Sequence, residues 1–394
     1  MSKVFLDNAA TTKTDPRVVE KMLPFFTENF GNPSGMHAFS RQAKCVLSEA
    51  RQTVADILNC DPTEIIFTGS GTESDNLAIF GTVEANLSDK KNHLFTSRIE
   101  HHAVLYPFEK LKRQGKNVDI ISPNQEGEIT SEIFTKAIKP NTLFASIALA
   151  NNEIGTVNDI KGLAKIAQKK EVIFHTDGCQ GGGTYDLDVK KLGIDLLTLN
   201  GSKISGPKGV GLLFKRKGLR IAPQIIGGAQ EWGLRAGTEN VAGIVGFAEA
   251  LRLSQENKET ENKRLLTLQQ KLIRGLLQIP LTRLNGHPTK RLPNNIHVSF
   301  LNTEGESLLL MLDKLGFAVA TGSACSTESL EPSHVLTGIG MPHEVAHGSL
   351  RITLGKGTTE KNIDNFLKDV PSVVEKVRKM SPVNFTAEDF KEWF

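Results

Sequence analysis

The chain alternates between short, continuous apolar runs and longer stretches in which apolar residues recur at helical spacing. Apolar runs bounded by polar or small residues are typical of buried strands, and a recurrence every three or four residues is typical of helices. Regular alternation of the two predicts an α/β fold with a mostly parallel sheet. The strand candidates of this kind are EIIFTGSG, HLFTSRIEH, VDIISP, LFASIALANN, VIFHTD, DLLTLN and GVGLLFKR, the last being the candidate for an antiparallel strand.

A long helical pattern separates this region from the rest of the chain. It begins at Ala242 and passes through the charged run QENKETENKR into LLTLQQKLIRGLLQI. We interpret it as the bridge to a second domain. Beyond it, NNIHVSF and HGSLRITLG are strand candidates, whereas GESLLLMLDKLG and the amphipathic tail TEKNIDNFLKDVPSVVEKVRKM are helical.

Length and composition are those of an ordinary globular protein. The 394 residues suggest roughly two or three domains, and the net charge of +3 gives no reason to expect nucleic acid or an anionic membrane as a partner. The longest apolar run, LFASIALA, is far shorter than a membrane-spanning helix. The four cysteines have no CxxC spacing, which favours reduced thiols in a cytosolic protein.

Polar residues follow two neighbouring strand candidates. Asp177 and Gln180 follow VIFHTD, and Lys203 follows DLLTLN. Parallel strands present their carboxyl ends at one edge of a sheet, so we expect these side chains to lie together. A lysine that forms a Schiff base and an acid that pairs with a pyridinium nitrogen are what pyridoxal phosphate requires. Alone, such a pair is more often two surface charges.

The turn from Thr68 to Ser74, TGSGTES, lies between a strand and a helix candidate. Free N–H groups at a helix start bind phosphate, and a small residue such as Gly71 allows close approach. Thr72 is the candidate cap of this helix. The alternative is a simple capped helix with no ligand. The turn lacks the lysine of a P-loop, which argues against nucleotide binding.

Two further strand ends carry candidate groups. His101 can stack on a cofactor ring and move protons near neutral pH, although a histidine satisfied by local hydrogen bonds is the alternative. Asn152, in NNEIG, can hold a cofactor oxygen or a substrate carboxylate, although such a sequence alone is more often a turn.

The C-terminal half contributes a thiol and a cation. Cys325 lies in a stretch of small residues, ATGSACSTES, which predicts an accessible loop suited to a nucleophile. Arg351 lies in an otherwise apolar strand candidate and needs an anionic partner, either a substrate carboxylate or an internal salt bridge.

Two competing motifs are less favourable. The sequence from His343 to His347 fits H-E-x-x-H, but Pro342 and Gly348 would confine the helix to little more than one turn, so we predict no metal site. Lys208 is a rival Schiff-base lysine, but it follows Pro207 rather than a strand end.

The chain resembles the NifS/IscS type of cysteine desulfurase in the class V aminotransferase group. The resemblance covers nearly the whole chain. It rests on LDNAATT, FGNPSGMH, FTGSGTESDNLA, SRIEHHAVL, NNEIGTV, HTDGCQ, GSKISGPKGVG, GLRAGTENV, LPNNIHVSF, GSACSTESLEPSHVL and HGSLRITLG. It implies an α/β, pyridoxal-phosphate-dependent transferase fold of type I. In that fold a large domain has a mostly parallel seven-stranded sheet, here placed at residues 14–258. A smaller α+β domain, here 1–13 and 259–394, carries the Cys325 loop and Arg351.

The resemblance also implies a role for each matching residue. Lys203, Cys325 and His101 correspond to the catalytic residues, with Cys325 becoming persulfidated. The residues that correspond to cofactor ligands are Gly71, Thr72, His101, Asn152, Asp177, Gln180, Asn200, Ser202, Lys203 and Thr238, the last supplied to the neighbouring subunit. Asn152 and Arg351 correspond to the pair that binds the substrate carboxylate.

Some positions depart from the family pattern. Asn200 and Ser202 replace the usual serine and histidine before the lysine, so we expect weaker cofactor binding by about 1–3 kcal/mol. Gly178 stands where alanine is common and is expected to loosen the packing near the ring.

The favoured function is removal of sulfur from L-cysteine, giving L-alanine and a Cys325 persulfide. We expect a cytoplasmic homodimer that passes sulfur to an acceptor protein for iron–sulfur cluster assembly or tRNA thiolation, with no membrane or nucleic-acid partner. One alternative is a selenocysteine lyase or another class V enzyme of this fold. The other is a non-catalytic binding protein with a weakened cofactor site.

Overall fold

The computed structural model describes residues 3–322, 332–382, 384–390 and 393. The strands are β1 (Val4–Phe5), β2 (Ile65–Thr68), β3 (His93–Ser97), β4 (Asn117–Ile121), β5 (Thr142–Ser146), β6 (Ile173–Asp177), β7 (Leu196–Asn200), β8 (Gly211–Lys215), β9 (Thr282–Leu284), β10 (Asn295–Phe300), β11 (Phe317–Ala318) and β12 (Ser349–Thr353). The helices are α1 (Pro16–Met22), α2 (Pro24–Thr27), α3 (Ala38–Leu58), α4 (Gly71–Asn86), α5 (His102–Arg113), α6 (Ser131–Ala137), α7 (Ile160–Lys169), α8 (Val189–Leu192), α9 (Val241–Leu276), α10 (Gly305–Lys314), α11 (His334–Gly338), α12 (His343–His347) and α13 (Glu360–Met380).

A seven-stranded sheet forms the centre of the molecule, in the order β2-β8-β7-β6-β5-β3-β4. β8 is antiparallel to both of its neighbours, and every other pair in this sheet is parallel. The predicted α/β class, the mostly parallel sheet and the antiparallel β8 are therefore confirmed. In this order β6 lies between β5 and β7, so their carboxyl ends meet at one edge.

Helices cover both faces of the central sheet, which explains why its strands are apolar throughout. Successive residues of a strand point to opposite faces. On β3, Leu94 packs in a cluster with residues of α4 and α5, whereas Phe95 packs in a second cluster with residues of α3, α7 and α9. Burial on both faces gives the continuous apolar runs seen in the sequence.

A smaller antiparallel sheet, in the order β12-β10-β9, has a hydrophobic cluster of its own. Leu6 of the N-terminal arm belongs to this cluster, and β1 pairs in parallel with β11. The arm thus packs with the C-terminal half, in keeping with the predicted grouping of residues 1–13 with 259–394. The division into domains remains a prediction.

α9 connects the two clusters as one continuous helix of 36 residues. Leu251, in its N-terminal half, packs in the cluster beside the central sheet, whereas Leu272 packs in the second cluster. The charged run between them is helical and contains no buried residue. In the part of the chain that the structure describes, α9 and the other helices are too short or too polar to cross a membrane.

Candidate active site

A cavity of about 180 Å³ lies at the carboxyl edge of the central sheet. Of the side chains predicted from the sequence, it brings together Gly71, Thr72, His101, Asn152, Asp177, Gln180, Asn200 and Lys203. These residues are spread over more than 130 positions, and they meet because the strands that precede them end at the same edge. Ser202 and Thr238 do not line this cavity.

The start of α4 forms one wall of the cavity. Ser70, rather than Thr72, caps this helix: its hydroxyl accepts a hydrogen bond from the backbone N–H of Glu73 at 3.0 Å. The expectation that Thr72 is the cap was therefore wrong, and Thr72 lies in the first turn. A β-carbon at Gly71 would lie 2.8 Å from the Cys179 sulfur and 3.3 Å from Asn200, so glycine is required for this close approach.

Asp177 and Lys203 face the cavity from the ends of β6 and β7. One oxygen of Asp177 accepts a hydrogen bond from the backbone N–H of Cys179 at 2.9 Å. Lys203 follows β7 by one 3-10 turn, and its Nζ donates to the Ala10 carbonyl. Lys208 is exposed and lies outside the cavity lining. The geometry therefore favours Lys203 over Lys208 for cofactor chemistry.

His101 is the residue before the first turn of α5, and its imidazole caps that helix. Nδ1 accepts a hydrogen bond from the backbone N–H of Ala103 at 3.1 Å, which places the proton of the neutral ring on Nε2. Burial lowers the pKa of His101, and the nearby charge of Asp177 opposes that effect only in part. A neutral imidazole suits stacking and proton exchange at neutral pH.

A buried polar network lies beneath Asp177. His175, two residues earlier on the same face of β6, bonds through Nδ1 to the Ser146 hydroxyl at 2.8 Å and through Nε2 to the Thr198 hydroxyl at 3.0 Å. Burial lowers the pKa of His175 to about 4, so its ring is neutral. Sequence reasoning missed His175, although its i, i+2 spacing from Asp177 places both on one face of the strand.

Asp75 is a second carboxyl group on the cavity wall. It is 1% exposed, and one of its oxygens has no hydrogen-bond partner among the described residues. Burial and the charge of Asp177 raise the pKa of Asp75 well above its ordinary value. Because the His175 ring is neutral, its 3.7 Å contact with Asp75 is not an ion pair. The position of Asp75 one helical turn after Gly71 was the signal available in the sequence.

Arg351 lies beside the cavity on β12. Its Nη1 donates to the backbone carbonyl of Asn152 at 3.2 Å, and its Nη2 donates to Asp7 at 2.9 Å. The residue is 3% exposed, and its Nε has no partner among the described residues. The internal salt bridge that the sequence left open is thus present, with donors left over for a further anion.

Glu153 lies directly after Asn152 and is 5% exposed. Its carboxylate accepts a hydrogen bond from the Ser333 hydroxyl, which also caps α11. Burial raises the pKa of Glu153 to about 7, although the Ser333 hydrogen bond and the charge of Arg351 act in the opposite direction. The contact joins the turn at the end of β5 to the segment that precedes α11.

Comparisons with known proteins identify the family of this chain. A family model described as aminotransferase class V matches residues 4–366. The chain belongs to the class V aminotransferase family. A cysteine desulfurase IscS from Methanosarcina thermophila is 50% identical over 380 residues, which covers 96% of this chain and 94% of the relative.

Two solved structures have a similar fold. A NifS-like protein has a TM-score of 0.89 and 35% identity, covering 95% of this chain and 100% of its own. SspA in complex with cysteine has a TM-score of 0.79 and 34% identity, covering 90% and 99%. Both are similar along nearly their full lengths.

The positions that depart from the class V pattern are occupied without gaps. The Ser202 hydroxyl donates a hydrogen bond to the Asn200 side chain at 2.8 Å. The two residues that replace the usual serine and histidine are thus hydrogen-bonded to each other. A β-carbon at Gly178 would lie 2.6 Å from a methyl group of Leu197. The expectation that Gly178 loosens the packing was wrong, because the leucine occupies the space.

Two predicted residues are not placed at the site by this chain. Thr238 is exposed on the segment before α9 and does not line the cavity. Cys325 lies outside the described residues. Both assignments remain predictions from the resemblance.

The donor set fits pyridoxal phosphate. The N–H groups of Gly71 and Thr72 precede the capping hydrogen bond of Glu73 at the start of α4, which suits them to a phosphate, and Gly71 permits its approach. Asp177 is a carboxylate suited to a ring nitrogen, and Lys203 is an amine suited to an aldehyde.

Two groups of histidines and acids among the described residues are candidates for a metal site, and their geometry is unfavourable. His343 and His347 are both exposed at the ends of α12, which has five residues. Within the described ranges, Glu126, Glu128 and His287 lie close enough together to share an ion. However, Nδ1 of His287 accepts from two backbone N–H groups, which leaves the proton on Nε2, the atom that faces Glu126.

Proposed function

We propose that this protein is a pyridoxal-phosphate-dependent cysteine desulfurase. The observation that carries the proposal is the convergence of Lys203, Asp177 and His101 in one cavity, with Asn152 linking that cavity to Arg351. A cofactor amine, a ring-nitrogen carboxylate and a carboxylate-binding cation are the groups that amino-acid chemistry on pyridoxal phosphate needs. The similarity to cysteine desulfurases supports L-cysteine as the substrate.

The cavity residues have separate binding tasks. The start of α4, with Gly71 and Thr72, would hold the phosphate, and Asp177 would keep a proton on the ring nitrogen. Lys203 would attach the cofactor, and His101 would cover the ring. When bound, pyridoxal phosphate supplies an electron sink that acidifies the α-hydrogen of the substrate.

The substrate is oriented by its carboxylate. Arg351 retains N–H groups that are not used by Asn152 or Asp7, and a guanidinium binds a carboxylate through two parallel hydrogen bonds. This would hold the α-hydrogen toward Lys203, whose Nζ, once the substrate amine had released it from the cofactor, would accept that proton. His101, neutral and protonated on Nε2, exchanges a proton with the substrate.

Cys325 takes the sulfur. Its thiolate attacks the substrate sulfur, so that a sulfur–sulfur bond forms and the bond between sulfur and the β-carbon breaks. The electron pair of the broken bond stays with the carbon, which is protonated and leaves as L-alanine. The enzyme is left with a Cys325 persulfide, and the reaction needs no external oxidant.

The assembly we propose is a homodimer in the cytoplasm. Thr238 is exposed and does not line the cavity of its own chain, in keeping with a role in the neighbouring subunit. Large apolar side chains near the N-terminus are also exposed, which favours a covered surface; they are Leu23, Phe26, Phe30, Met36 and Phe39. The persulfide then passes its sulfur to an acceptor protein for iron–sulfur cluster assembly or tRNA thiolation.

The test is direct measurement of the products. Purified protein with pyridoxal phosphate, L-cysteine and a thiol reductant should release sulfide and L-alanine in equal amounts. The Cys325→Ser variant should bind L-cysteine, seen as a change in the visible spectrum, but release no sulfide. Equal sulfide release by Cys325→Ser would reject the persulfide step. Release of pyruvate instead of L-alanine would reject the proposed reaction.

A further inference from the structure

Asp7 contacts the arginine that we assign to the substrate carboxylate. The Oδ1 atom of Asp7 accepts a hydrogen bond from Nη2 of Arg351 at 2.9 Å. The side chain of Arg351 is 4% exposed and that of Asp7 is 20% exposed, so water screens this pair only partly. The family resemblance implies no role for Asp7.

The backbone fixes Asp7 in this position. On one side of Asp7, the N–H of Leu6 donates to the Ala318 carbonyl at 2.8 Å, and the N–H of Thr353 donates to the Leu6 carbonyl at 2.7 Å. On the other side, the N–H of Asn8 donates to the Thr353 carbonyl at 3.3 Å. The arm is thus held along β12 by main-chain bonds that do not depend on the Asp7 side chain.

The charges around Arg351 come from several elements. Glu153, from the turn after β5, has a pKa raised to about 7 by burial. His297, opposite Arg351 on β10, has its pKa lowered to about 3 by burial and is neutral. Among the described residues, Asp7 is therefore the carboxylate in direct contact with the guanidinium, and its charge offsets that of Arg351.

We infer that Asp7 is a specificity-determining residue that limits the charge of the accepted amino acid. The inference rests on the proposed function. Arg351 attracts the α-carboxylate, while Asp7 repels any second acidic group on the substrate side chain. L-Cysteine, with a neutral thiol, is accepted, whereas amino acids with an anionic side chain are disfavoured.

The experiment compares L-aspartate with L-asparagine, which have the same shape and differ by one charge. Each is titrated into the cofactor-loaded protein, and binding is followed through the visible spectrum, so that turnover is not required. The variants are Asp7→Asn and, as a matched control on the same arm, Asp15→Asn. Asp15 pairs with Arg17 and Lys356 instead.

Wild type should bind L-asparagine more tightly than L-aspartate. Asp7→Asn should shift the ratio of the two dissociation constants toward L-aspartate by about fivefold, the scale of one partly screened charge. Asp7→Glu, which keeps the negative charge at this position, should retain the wild-type preference. Asp15→Asn should leave the ratio of the two dissociation constants unchanged.

Three results would overturn the inference. The first is an unchanged ratio of the two dissociation constants in Asp7→Asn. The second is an equal loss of affinity for both ligands in that variant, which would indicate that Asp7 only orients Arg351. The third is a shift of the ratio in Asp15→Asn equal to that in Asp7→Asn. Failure of the proposed function would appear separately, as no sulfide release from wild type with L-cysteine.

Discussion

Replacement of Glu153 by glutamine tests the electrostatics beside the cavity. Glutamine has nearly the same shape and can still accept the hydrogen bond from the Ser333 hydroxyl. It differs in having no charge at any pH. The variant therefore isolates the free energy of keeping an ionised carboxylate at a position that is 5% exposed.

The size of the effect follows from the pKa. Burial raises the pKa of Glu153 from 4.5 to about 7. A shift of about 2.5 units corresponds to about 3 kcal/mol. The folded protein holds the proton more tightly than the unfolded chain, so the stability of wild type falls as the pH rises from 4.5 to 7. Below pH 4.5 this difference is absent, and above pH 7 it is complete.

Thermal unfolding at a series of pH values measures the difference. With about 2.1 cal/mol/K per residue, the 394 residues give an unfolding entropy of about 0.8 kcal/mol/K. Glu153→Gln should therefore gain about 4 °C in Tm relative to wild type between pH 5 and pH 8. The matched control, Glu259→Gln, removes the charge of an exposed glutamate on α9 and should show no such trend. A Tm difference that is independent of pH, or that favours wild type at pH 8, would refute the assignment of a raised pKa to Glu153.

Three further predictions concern cofactor and sulfur chemistry. Lys203→Ala should abolish the visible absorbance of the bound cofactor and all sulfide release, while Lys208→Ala keeps the absorbance; a borohydride-reduced adduct mapped to Lys208 would contradict this. The Cys325→Ser variant should still form a borohydride-reduced adduct with the cofactor. After incubation with L-cysteine, mass spectrometry should detect no persulfide on this variant. Ser202→His should slow cofactor loss on dilution and tighten binding by about 1–2 kcal/mol, one charge-assisted hydrogen bond; equal or weaker binding would show that the Ser202–Asn200 hydrogen bond already compensates.

The sequence determined the fold class and the principal chemistry of the site. Apolar runs between helical stretches predicted the parallel sheet, because strands buried on both faces cannot carry alternating polar residues. Polar residues after those runs predicted the site, since parallel strands end at one edge. Asp177, Lys203 and His101 could be found in this way because each lies at the end of a strand or within four residues after it.

Only the tertiary structure decided the environment of these groups. Asp7 and Arg351 are 344 positions apart, and Glu153 and Ser333 are 180 apart, so no local pattern relates them. Ser70 rather than Thr72 caps α4 because the helix begins at Gly71. Burial, which sets the charge of Glu153 and similar groups, depends on how distant segments pack. The sequence specifies which ionisable groups are present, whereas packing determines their solvation and partners, and hence their charge.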